Sequence, residues 1–70
     1  MIDLPPATTA RWGDFIANRE NVRTMGIRDA PWWHVGSMRA GLIVAHNPEC
    51  GKREFDPADY VVVYRPPDYD

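Results

Sequence analysis

The chain has 70 residues, 44% of them hydrophobic and 26% charged, and a formal net charge of −2. That length holds one small domain, residues 1–70, with too little core to enclose a deep catalytic cleft. The charge excludes the basic footprint of a nucleic-acid-binding domain, and the seven arginines and one lysine are too dispersed to form a polybasic membrane segment.

Cys50 is the single cysteine and can form no internal disulfide, which fits a reducing compartment. No apolar run nears the ~18 residues that span a bilayer. Met1-Ile2-Asp3-Leu4-Pro5-Pro6 lacks the basic and apolar regions of a signal peptide. The expected location is the cytoplasm, and the excess of arginine over lysine fits a GC-rich bacterial or phage genome.

Residues 1–7 are predicted to be an extended arm, because Pro5-Pro6 fixes φ and disfavours helix at Leu4. Thr8 or Thr9 then caps a helix over about 9–25. Trp12, Phe15, Ile16, Val22 and Met25 recur at spacings that form one apolar stripe, and Gly26 stops it. Gly13, Asn18 and Asn21 are weak helix formers, and a break near Asn18 would give two short helices. Beyond Pro31 the period changes. Strands are predicted at about 32–38, 42–46, 52–55 and 60–65, with turns at Arg39-Ala40-Gly41, Asn47-Pro48-Glu49-Cys50-Gly51 and Asp56-Pro57-Ala58-Asp59. The short, charged third strand suits a sheet edge. The second and fourth are apolar on both faces, as in strands central in a sheet or covered on both sides. Residues 66–70 form a second arm. The expected fold is α+β: an N-terminal helix packed on a three- to four-stranded antiparallel sheet. The alternative is a small SH3-like β-barrel whose last strand closes beside the first.

His34, His46 and Cys50 are residue types that bind zinc, and register pairing of the first two strands would bring His34 near His46. A second short-spaced ligand pair is missing, so metal binding is the alternative reading, and no cofactor is expected. Nothing orients Cys50 and His46 as nucleophile and base. Asp56 and Asp59 flank Pro57-Ala58 as turn residues do. The chain is therefore read as no enzyme.

Trp32-Trp33, followed by Pro57-Ala58-Asp59-Tyr60-Val61, resembles the paired tryptophans and the Pro-Ser-Asn-Tyr-Val segment of SH3 domains. The resemblance implies a groove for proline-rich peptides lined by Trp32, Pro57 and Tyr60. The two segments lie farther apart than in that family, and the N-terminal third reads as helix.

Adjacent strand residues point to opposite faces, so Trp32 and Trp33 cannot both enter the core. Polar His34 follows Trp32 on its side, and Val35 aligns with Trp33. Trp33 is thus expected inside and Trp32 outside, with Tyr60 and Tyr64 sharing one face. The resulting expectation is a small protein-binding module, a phage or mobile-element regulator or inhibitor. It would bind its partner through Trp32, His34, Tyr60 and Tyr64. A homodimer or a structural subunit of a larger assembly would cover the same face.

Overall fold

Asn18 begins the helix. Its side-chain oxygen accepts hydrogen bonds from the backbone N–H groups of Glu20 (2.9 Å) and Asn21 (3.2 Å), and α1 runs only from Arg19 to Met25. The structure, a computed structural model, describes residues 4–66. The long N-terminal helix is corrected: α1 lies mid-chain, and a 3-10 turn (Ala7–Thr9) and strand β1 (Phe15–Asn18) precede it. Gly13 ends any continuous helix there, because its φ is 95° and a right-handed helix cannot continue through that conformation. The stripe does not survive either. Phe15 and Ile16 go to opposite faces of a strand, and Trp12 and Met25 are exposed.

The other strands are β2 (Trp33–Arg39), β3 (Leu42–Asn47), β4 (Gly51–Phe55) and β5 (Tyr60–Tyr64), with a 3-10 turn at Pro57–Asp59 before β5. They form one antiparallel sheet in the order β4-β3-β2-β1-β5. One helix beside an antiparallel sheet makes the fold α+β. The charged strand β4 takes an edge, as its composition suggests. The last strand does lie beside the first, but that first strand is β1, inside the segment read as helix. β5 is therefore not central. Its outer side is met by the N-terminal arm, where Val62 donates its N–H to the Pro5 carbonyl (2.8 Å) and Pro6 bridges Val61. The ends of both expected arms, residues 1–3 and 67–70, lie outside the described residues.

Two hairpins set the register from β2 to β4. Arg39 pairs with Leu42, so the first turn has two residues rather than three. Ala40 (φ 52°) and Gly41 (φ 80°) both take the left-handed region that such a turn needs, at a cost of about 1 kcal/mol for alanine. The second turn ends on Gly51 at φ 82°.

The main core cluster lies on one face of the sheet, while Ala17, Val44 and Val61 are buried on the other. Ile16, Trp33, Val35, Ile43, Ala45 and Val62 fill the main cluster, Ala7 and Ala10 of the arm close it, and Phe55 and Tyr60 pack on its border. α1 contributes no buried residue. The cover that was expected from a helix comes from the curl of the sheet. Phe55 and Tyr60 stand on strands at opposite edges, which a flat sheet would hold roughly 19 Å apart. The short linker between them forces those edges together, and their ring centroids are 4.7 Å apart.

Candidate binding face

The face away from the core carries a cluster of rings. Phe15 sits at its centre, 4.7 Å from His34, 5.7 Å from Trp32 and 6.0 Å from Tyr64, centroid to centroid. Trp32 and Tyr64 lie nearly parallel to each other at 6.2 Å. The register explains this meeting: Phe15 pairs with His34 on β2 and with Tyr64 on β5, and directly opposed residues share a face. Ile16, the next residue, pairs with Trp33 on the core side. Trp33 is therefore inside and Trp32 outside, as the alternation predicts.

Tyr60 is not part of this cluster. The register of β1 against β5 shifts between Phe15 and Ile16, so Phe15 opposes Tyr64 while Ile16 opposes Val62. The extra residue, Val63, turns Tyr64 onto the outer face and leaves Tyr60 on the core side against Phe55. Two residues expected to share a face are thus separated by a bulge. The groove implied by the SH3 resemblance does not form, because the register puts Tyr60 on the face of Ile16 and Trp33, opposite Trp32. Burial raises the Tyr60 hydroxyl pKa above its ordinary value, Asp59 adds to the rise, and a hydrogen bond with Asn18 opposes it.

Phe15 belongs to this cluster although its spacing fits a helical stripe. The signal for it was the strand alternation Phe15-Ile16-Ala17-Asn18.

Two polar devices hold the cluster in place. Trp32 donates its indole N–H to the Ile27 carbonyl (2.8 Å), which fixes the ring. Its own carbonyl accepts from the side-chain amide of Asn47 (3.0 Å), whose oxygen accepts from the Glu49 and Cys50 N–H groups. Asn47 is buried and bonded through both its amide nitrogen and its oxygen, so it ties the β3–β4 turn to the Trp32 backbone. We expect Asn47→Ala to cost about 1–3 kcal/mol and to lower the melting temperature by ~4 °C or more, measured by thermal denaturation. An unchanged melting temperature would mean that the turn needs no such tie.

The second device flanks the Phe15–Tyr64 pair. Asp14, just before Phe15, and Arg65, just after Tyr64, form a bidentate ion pair with contacts of 2.9 to 3.2 Å. Asp14 also accepts from the Arg11 N–H (2.9 Å), and Arg65 donates to the Thr9 carbonyl (3.3 Å). Burial acts to raise the Asp14 pKa. The Arg65 and Arg11 hydrogen bonds and the two guanidinium charges outweigh burial and hold the carboxyl below its ordinary value.

His34 and His46 are register partners across β2 and β3, so the pairing anticipated for the metal reading does occur. Cys50 stands exposed in the turn beyond Asn47. Among the described residues no three or more histidine, cysteine, aspartate or glutamate side chains gather as a metal site would need. No helix among them is long and apolar enough to cross a membrane.

No family model, no curated protein and no solved structure matches this chain.

Proposed function

We propose that this chain is a non-enzymatic protein-binding module that engages another protein through Phe15, Trp32, His34 and Tyr64. One observation carries the reading: Trp32, His34 and Tyr64 gather around Phe15 on the face opposite the main core cluster, which contains none of these rings. Tyr64 remains 46% exposed. Large rings held rigidly at a surface lose little rotamer freedom on binding, which is why aromatics anchor the centres of interfaces. The size and composition support a cytoplasmic regulator or inhibitor, of bacterial or phage origin, that works by occupying its target.

The test compares the wild-type chain with Trp32→Ala and Tyr64→Ala in affinity capture from cells of origin and in sedimentation for self-association. Loss of an anchor of this kind weakens binding by ~2 kcal/mol, about thirtyfold. We expect both variants to lose the captured partner while Tyr64→Ala keeps its melting temperature. A concentration-dependent dimer abolished by the same changes would name a second copy as the occupant. Retention of every association in both variants would sink the proposal.

A further inference from the structure

β4 pairs on one side only, with β3. The ladder shows which of its backbone groups face the other side. Val35 donates its N–H to the Asp14 carbonyl (2.9 Å) and accepts the Gly13 N–H (3.0 Å), so both its backbone groups point away from β3. Opposed residues of an antiparallel pair exchange both bonds or neither. Ala45, the register partner of Val35, therefore turns its own N–H and C=O toward β4, where it opposes Arg53. Alternation along β4 then leaves the N–H and C=O groups of Lys52 and Glu54 facing outward. Among the described residues nothing bonds to them. The opposite edge differs, because there the N-terminal arm accepts the Val62 N–H.

We propose that this edge pairs with the same edge of a second copy of the chain, antiparallel and centred on Arg53. A two-fold pairing through the outward groups opposes Lys52 to Lys52, or Glu54 to Glu54, or Lys52 to Glu54 at both ends. The first two registers set like charges against each other. The last sets unlike charges together twice, and it alone engages the outward groups of both residues. Lys52 and Glu54 are exposed and share the outer face of the strand. A lysine on an edge ordinarily discourages pairing, but here a glutamate on the same face of the second copy answers it. At each end of this register Phe55 meets Gly51 of the second copy. Gly51 has no side chain to collide with that ring, and the space where its Cβ would stand is open. Arg53 is exposed and opposes itself across the two-fold axis, which works against the contact and keeps it weak and reversible. The axis stands perpendicular to the sheet, so both copies turn their ring clusters to the same side. The contact uses none of those rings and goes beyond the protein-binding reading above.

Sedimentation equilibrium over a concentration series, with amide hydrogen exchange followed by NMR, tests the pairing. The wild-type chain dimerises as its concentration rises, and the Lys52 and Glu54 amides gain protection in step. The Arg53 amide, already bonded within the sheet, is protected at every concentration. Lys52→Glu and Glu54→Lys are exposed changes, and each turns two unlike pairs into two like ones. Each weakens the dimer about tenfold or more while the circular dichroism of the fold is unchanged. An equimolar mixture of the two variants opposes unlike charges again and recovers association as a heterodimer. Arg53→Thr tightens the dimer. A wild-type chain that stays monomeric up to roughly millimolar concentration would overturn the proposal. So would a dimer indifferent to both charge changes. A dimer lost in Trp32→Ala and Tyr64→Ala but kept in the two charge variants would move the contact to the ring cluster and overturn the edge.

Discussion

Trp33→Ala is expected to unfold this domain at ordinary temperatures or bring it close to unfolding. Trp33 is 9% exposed, opposes Ile16 across the β1–β2 pairing and meets the Phe55 ring edge-on at 4.6 Å. It is the largest side chain in a cluster otherwise made of alanine, valine and isoleucine, bordered by Phe55 and Tyr60. Removing such a ring from a packed core costs about 3–5 kcal/mol, because the lost burial and the cavity left behind add together. At roughly 0.05–0.15 kcal/mol per residue, a domain of this length has a total stability of only about 4–10 kcal/mol. The melting temperature should fall by ~12 °C or more, or the cooperative transition should disappear. Trp33→Phe should recover much of the loss, because the ring contact with Phe55 is partly kept. Tyr64→Ala, on the outer face, provides the contrast. If Trp33→Ala melts within a few degrees of wild type, the core does not depend on this ring.

The second large effect is pH-dependent and belongs to Asp14. The side chain is 3% exposed, and the charged form is held by Arg65 and by the Arg11 N–H. Asp14→Ala removes the acceptor for both and should cost about 2–3 kcal/mol at neutral pH. Asp14→Asn keeps an acceptor for Arg11 but loses the charge. It should cost about 1–2 kcal/mol, at the low end because Arg65 is partly open to solvent. The Asp14 pKa is depressed in the folded state. Its contribution is therefore complete above the ordinary carboxylate value of 3.8 and is lost as pH falls below it. The stability gap between wild type and Asp14→Asn should be constant from neutral pH down to about pH 5 and should narrow below pH 4. A gap that widens on acidification, or one independent of pH down to 2, would mean that the carboxylate is not what holds this end of the sheet. Because Asp14 and Arg65 bracket the Phe15–Tyr64 pair, the same variants should loosen the aromatic cluster and weaken binding through it.

The sequence by itself determined the α+β class, the four later strands and the inward and outward facing of Trp33 and Trp32. Those follow from local rules: a period of two, turn residues that demand positive φ, and charge on an edge strand. Tertiary structure alone decided the role of residues 15–18. Phe15-Ile16 is compatible with a helical stripe and with a strand, and the choice fell to β2 and β5, partners distant in sequence that offered hydrogen bonds on both sides. It also decided the bulge that parts Tyr60 from Tyr64, because register shifts depend on how two strands fit and not on either strand alone. The Asp14–Arg65 pair joins residues 51 positions apart, and only the sheet that places β1 beside β5 brings that carboxylate and that guanidinium together.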